Sequence, residues 1–246
     1  MKRWYVVCVA AVLGLATLTG CSSGEGDTFT QRQYTAQGSE VKAVVIDVRD
    51  RQIEIVPAGD GQLVLDYAES EKEGYAITLS DEGTLSVTGR TDKGWLDYIG
   101  GKAPEEYRTL RLAVPADALS SLTVSTTNGD ITLPALAVGG EVSLAANNGD
   151  IRLEKLDVGQ GLRLEAKNGS VQGTVVGGYD DFTISSTVKK GESNLPEQAG
   201  SGSKTLEADV NNGNIELAFE KKETKRTARR PTVLFFRIPN NLCSPP

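Results

Sequence analysis

The chain has 246 residues, with 26 Lys and Arg, 33 Asp and Glu, 27 Gly, three Cys, one Met and no His. Without histidine there is no Ser-His-Asp triad, no Cys-His dyad and no His-ligated zinc, which removes much ordinary hydrolytic and metal chemistry. A Gly-, Val-, Leu- and Thr-rich chain favours strands and turns over helices, and a hydrophobic content of 39% suffices for a packed core.

Residues 1–20 read as an address. Lys2 and Arg3 form a basic start, Val6 to Leu18 is almost wholly apolar, and small residues follow. This is the pattern of a secretory signal peptide, and its apolar stretch is short for a spanning helix of about 20 residues. Leu18, Thr19, Gly20 and Cys21 resemble the bacterial lipobox at all four positions. The resemblance implies cleavage before Cys21, acylation of its thiol, and a mature protein lipid-anchored on the extracytoplasmic face of a bacterial envelope membrane, inner or outer. Several acyl chains anchor stably where one is marginal. With Cys21 acylated and Cys8 removed, Cys243 stands alone, so the mature fold is expected to hold without an internal disulfide.

Residues 21–38 are small, polar and aperiodic, and are expected to be a flexible tether. From residue 39 to 120 short apolar alternations appear, as in Val44, Ile46 and Val48, then Leu63, Leu65 and Tyr67. Period two punctuated by Gly, Asp and Glu predicts strands. Asp92–Glu106 breaks the pattern and reads as an excursion loop carrying Trp95 and Tyr98, a candidate ligand loop for sugar rings. The early aromatics, Tyr67, Tyr75 and Tyr107 among them, read equally as a cap over an open end of the fold.

From residue 121 to 220 the chain repeats itself. Leu122-Thr-Val-Ser-Thr-Thr-Asn-Gly-Asp-Ile131 recurs with its Asn-Gly pairs at Asn128-Gly129, Asn148-Gly149, Asn168-Gly169 and Asn212-Gly213. The steps are 20, 20 and 44 residues, so a degenerate copy is expected near residues 181–196. A fixed period of strand, turn and strand predicts parallel stacked coils, with Leu122, Val142, Leu162 and Leu206 in one core column and Ile131, Ile151, Val171 and Ile215 in another. The eight Asn and Gly residues are assigned a structural role at the turns: Asn tolerates left-handed backbone, Gly carries no Cβ, and stacked Asn amides can form a ladder. The fold class expected is all-β, a right-handed β-helix or solenoid-like stack of coils of about 20–22 residues, preceded by less regular strand-rich coils.

Leu112-Ala-Val-Pro115, Leu119 and the run from Leu122 to Ile131 resemble a bacterial adhesin-like domain of unknown function, over roughly residues 41–220. The resemblance implies a β-helix-like fold in envelope-associated proteins, and brings no catalytic residue with it.

Asp130 and Asp150 follow successive Asn-Gly pairs. Carboxylates suit calcium, but the series is broken by Ser170 and Asn214, so they read as solvated turn residues and no metal site is assigned. No carboxylate pair stands out for glycoside hydrolysis. Residues 221–246 carry seven basic residues against Glu223 alone, a basic tail with a short apolar segment, Thr232–Ile238. The body before it is acidic, which disfavours nucleic acid as a partner. The expectation is a non-enzymatic binding or structural module without cofactor, meeting the membrane through its anchor and an envelope polymer, glycan or protein as partner. The alternative is a glycan-binding protein or glycan-active enzyme on a β-helix.

Overall fold

The computed structural model describes residues 28–92, 103–116 and 118–221. The leader, Cys21, Trp95, Tyr98 and the tail from residue 222 lie outside the described residues. In chain order the strands are β1 (Thr30–Gln37), β2 (Ala43–Val48), β3 (Gln52–Pro57), β4 (Gln62–Glu69), β5 (Glu73–Leu79), β6 (Thr84–Thr91), β7 (Thr109–Val114), β8 (Ser121–Asn128) and β9 (Ile131–Val138). They continue as β10 (Glu141–Asn148), β11 (Ile151–Val158), β12 (Gly161–Asn168), β13 (Val171–Val176), β14 (Phe182–Lys190), β15 (Gln198–Ala199), β16 (Lys204–Asn212) and β17 (Ile215–Glu220). No α-helix occurs among the described residues, so none there is long and apolar enough to cross a membrane.

The strands make two sheets, ordered β1-β4-β7-β3-β9-β11-β13-β17 and β15-β14-β16-β12-β10-β8-β2-β6-β5. Each repeat is one coil, giving a strand to each sheet across its Asn-Gly corner. Alternation then decides what is buried: along β8, Leu122, Val124 and Thr126 point inward while Ser121 and Thr123 do not. Successive coils pair in parallel and in register. Leu122 meets Val142, Val142 meets Leu162, and Leu162 meets Leu206 in one sheet. Ile131, Ile151, Val171 and Ile215 do the same in the other. Like therefore packs on like between the sheets, and both columns are essentially fully buried. The hydrophobic effect, about 25 cal/mol per Å² of apolar surface removed from water, acts here through a narrow continuous core rather than a globular one.

Chain order and stacking order part company at both ends. β14 is the degenerate copy, but it does not lie between its sequence neighbours. β16 pairs with β12 on one side and β14 on the other, so the coil of β16 and β17 is inserted beneath the earlier-made β14. At the other end β2 and β3 are inserted between β6–β7 and β8–β9. The strand-rich first half is thus continuous with the repeats: Val44 meets Leu122 and Ile53 meets Ile131.

The tether expected over residues 21–38 is corrected by β1. All eight residues from Thr30 to Gln37 pair antiparallel with β4. The strand shows no apolar alternation in sequence because it is an edge strand that leans only Tyr34 and Ala36 on the core, leaving its Gln, Arg and Thr side chains outward. β4 and β5 run antiparallel to β7 and β6 and close this end with aromatics. Tyr67 and Tyr75 pack edge to face with centroids 5.3 Å apart, and Phe29 stacks on Tyr107 at 5.3 Å. Phe182, fully buried, and Phe219 close the other end.

Candidate functional site

The Asn-Gly corners carry two parallel rows of side-chain hydrogen bonds. Asn148 Nδ2 donates to Asn128 Oδ1 at 2.7 Å, Asn168 Nδ2 to Asn148 Oδ1 at 2.8 Å, and Asn212 Nδ2 to Asn168 Oδ1 at 2.7 Å. Every amide donates in one direction along the stack. The row ends on the acceptor-only carboxylate of Asp50, which receives Asn128 Nδ2, and its opposite end is in register with Lys190. In the adjoining row the side chain after each Gly caps the next coil's backbone. Asp130 Oδ1 accepts from the Asp150 N–H and Asp150 Oδ1 from the Ser170 N–H, both at 2.8 Å, while Ser170 Oγ accepts from the Asn214 N–H at 3.1 Å. Any short acceptor serves there, so the column passes from Asp to Ser to Asn without loss.

Gly129, Gly149, Gly169 and Gly213 all have positive φ. The angles differ from the left-handed helical region expected at the turns. They fall between 145° and 158°, in the mirror of the extended region that only Gly occupies readily. Close stacking adds a second reason: a Cβ on Gly149 would lie 2.0 Å from Gly129 O.

The sequence pattern gave no sign of a buried polar cluster beneath this row. Arg51, 4% exposed, donates from Nε to Tyr75 Oη at 2.6 Å, from Nη2 to Glu73, and from Nη1 to its neighbour Asp50 O at 3.0 Å. Arg51 O in turn accepts from Thr126 Oγ1 at 2.8 Å. Burial lowers the tendency of Arg51 to stay charged, but Tyr75 and Glu73 outweigh it and hold the guanidinium ionised. Burial also raises the Tyr75 phenol against the opposing pull of Arg51. The cluster fixes Asp50 at φ 54°, an unusual conformation for a non-Gly residue, where it can terminate the amide row.

A hollow lies on the outer face of the eight-stranded sheet. Alternation lapses there, because Leu133 and Leu136 are both buried and Pro134 and Ala135 both face out; Glu154 and Lys155 repeat this one coil on. The doubled outward step bends the sheet. On one side of the bend is an open hollow of about 560 Å³ edged by Thr132, Pro134, Arg152, Glu154, Gln172 and Glu216, with the buried Ile55, Leu133 and Leu153 behind it. Gly173, in register between Leu153 and Leu217, leaves the notch in that wall. On the other side is a smaller hollow of about 300 Å³ lined by Pro57, Ala58, Ala135, Ala137 and Val176, with Lys155 and Asp157 beside it.

The basic groups at the rim are already paired. Arg152 donates to Asp130, and to Asp150 at 2.6 Å. Burial pushes the Asp130 carboxyl up, yet the Asp150 N–H and Arg152 more than offset it and hold it below the usual carboxylate range. Lys155 pairs with Glu220 at 2.5 Å. This face therefore offers a small Ala- and Pro-lined hollow beside a larger one edged by ion pairs and outward amide and carboxyl groups, which suits binding along a chain-like ligand. Among the described residues no group of three or more Cys, Asp or Glu is placed to hold a metal ion. The sequence signal for the groove was the loss of alternation at Leu133-Pro134-Ala135-Leu136.

The sequence profile of the Toastrack DUF4097 family matches residues 41–227. No curated protein matches the chain. Among solved structures, a "putative cell adhesion protein" from Clostridium sporogenes is 13% identical, with a TM-score of 0.52 over 78% of this chain and 100% of its own. A "putative adhesin" from Bacteroides fragilis is 11% identical, with a TM-score of 0.32 over 78% of this chain and 98% of its own. A "putative lipid binding protein" from Parabacteroides distasonis is 10% identical, with a TM-score of 0.25 over 81% of this chain and 98% of its own. The first shares the fold.

Proposed function

This chain belongs to the Toastrack DUF4097 family, and from that premise we propose that the mature protein is a lipid-anchored, extracytoplasmic binding module of adhesin type. It is held at a bacterial envelope membrane by acylated Cys21, works without catalysis or cofactor, and engages an envelope polymer, glycan or protein. Its coils wind right-handed, as parallel crossovers do. The observation that carries the binding reading is the bent outer face of the eight-stranded sheet, where a polar hollow of about 560 Å³ and an Ala- and Pro-lined one of about 300 Å³ adjoin on one wall. Preformed concave sites with a few placed polar groups are where ligands bind. The adhesion name of the Clostridium sporogenes protein agrees with this reading.

The test uses the full chain made in a lipoprotein-processing host, beside Cys21→Ala. Acyl mass and membrane association are expected in the first and lost in the second. Wild-type protein is then presented to an array of envelope polymers and glycans, together with Gln172→Trp and Ala135→Trp, which fill the two hollows from exposed positions. Saturable retention lost in either groove variant supports the groove. Retention indifferent to both, but lost in Trp95→Ala, transfers the site to the 92–106 loop and to the glycan-binding alternative. Absence of retention on every polymer overturns the polymer and glycan reading.

A further inference from the structure

We propose that the four Asn-Gly pairs form a latent modification site, held unreactive by the stack, of which Asn212-Gly213 is the first to convert when the fold opens. The inference is independent of what the groove binds. In an unconstrained chain, Gly lets its backbone nitrogen approach the preceding Asn side chain without a Cβ in the way. The Gly nitrogen gives its proton to solvent hydroxide and bonds to Asn Cγ. The Cγ–Nδ2 bond breaks and ammonia leaves. Water then opens the five-membered imide to aspartate or isoaspartate.

Exposure does not protect these residues, since Asn148, Asn168 and Asn212 are all exposed. Hydrogen bonding does, because both reacting groups are held. The attacking nitrogens donate outward along the stack: Gly129 N to Asn148 O at 2.9 Å, Gly149 N to Asn168 O at 3.0 Å, Gly169 N to Asn212 O at 3.0 Å, and Gly213 N to Lys190 O at 2.9 Å. The attacked amides are held by the side-chain row itself.

The four pairs are not equally secure. The restraint on Gly213 comes from β14, the outermost layer of its sheet, flanked beyond only by the two-residue β15. Peripheral layers open at lower free energy than central ones. Loss of β14 frees Gly213 N while the inner three nitrogens remain bonded. Conversion of Asn212 then removes the donor to Asn168 Oδ1 and sets two acceptors face to face. Re-closure is impaired, and the molecule keeps a chemical record of having opened.

The full chain is incubated at mildly alkaline pH and 37 °C, folded and in denaturing guanidinium, and each pair is followed by peptide-resolved mass spectrometry with isoaspartate detection. Unfolded, all four are expected to react at similar rates. Folded, Asn128, Asn148 and Asn168 should be slower by about a hundred-fold or more, with Asn212 intermediate, because each reaction waits on its own local opening. Ile184→Ala, which loosens β14 from inside, should accelerate Asn212 and leave Asn128 unchanged. Equal rates in folded and unfolded protein, or an inner pair reacting first, would overturn the proposal. The wild-type comparison decides it even if Ile184→Ala does not fold.

Discussion

Asn168 and Asn212 share a side-chain hydrogen bond of 2.7 Å although 44 residues separate them, the chain having built β14 in the interval and set it farther out. One amide row thus crosses from sequence-local coils to an inserted one without interruption. Its polarity makes a sharp demand, since each member must donate on one side and accept on the other. Asn148→Asp keeps the acceptor for Asn168 but opposes Asn128 Oδ1 with a second acceptor. A loss of about 1–2 kcal/mol is expected at neutral pH. The charged form is the disfavoured one, so the new carboxyl is raised in the fold and stability should return as pH falls through the carboxylate range. Urea midpoints at neutral and acidic pH check this; an unchanged neutral midpoint would show that the row is energetically idle.

At Gly149 two penalties coincide, a positive φ of 158° and a Cβ position 2.0 Å from Gly129 O. Gly149→Ala is expected to cost about 2 kcal/mol or more, and Gly149→Val at least as much, because backbone rather than a yielding side chain stands in the way. Gly59, where an added Cβ meets nothing within 4 Å, is the matched control. Thermal melts of Gly149→Ala and Gly59→Ala should separate clearly, and coincident melts would refute the close-approach account.

Removing Arg51 while Glu73 remains should be among the most harmful single changes. Arg51→Met strips the guanidinium from a carboxylate whose side chain is 12% exposed, and breaking one half of such a pair costs about 3 kcal/mol or more. Arg51→Met with Glu73→Gln should be the more stable protein of the two, because no charge is then left stranded. If the double variant is instead the less stable one, the cluster's value lies in packing rather than charge.

Alkaline pH should reach the same cluster by another route. The Tyr75 phenol is raised by burial, so the folded state holds its proton more tightly than the unfolded chain does. Its contribution is complete below the ordinary tyrosine range, near 10, and is lost as pH rises beyond it. Tyr75→Phe, less stable at neutral pH for want of the bond to Arg51, should show a flatter decline above that range, measured as melting temperature against pH. Tyr34 and Tyr67 are raised as well, so a reduced rather than abolished slope is expected.

The repeat coils were legible because each core column is written in the sequence at a fixed step. Leu122, Val142, Leu162 and Leu206 align on paper and meet in space. What escaped was whatever depends on stacking order. Nothing in Phe182–Lys190 distinguishes an outer layer from an inner one, since its Phe182, Ile184 and Ser186 point inward just as an internal coil's residues would. β1 carries the composition of a tether because a strand covered on one edge and half of one face needs few apolar residues. The groove escaped because Thr132, Glu154 and Gln172 are ordinary outward side chains, and only the backbone's lapse in alternation makes them face one hollow. Arg51 left no trace because a buried ion cluster joins β3's approach to β5, two segments with no shared pattern.

The strands at the two ends of the described chain, β1 and β17, form opposite edges of one sheet, seven strand spacings apart, about 34 Å at about 4.8 Å each. A load applied between residue 30 and residue 220 therefore pulls across the strands and not along them. Ladder hydrogen bonds so loaded open one after another, like a zipper, instead of sharing the force in shear. Tethered by one end and tugged by the other, the molecule would yield layer by layer from its edges at low force, a compliant linkage despite its rigid core.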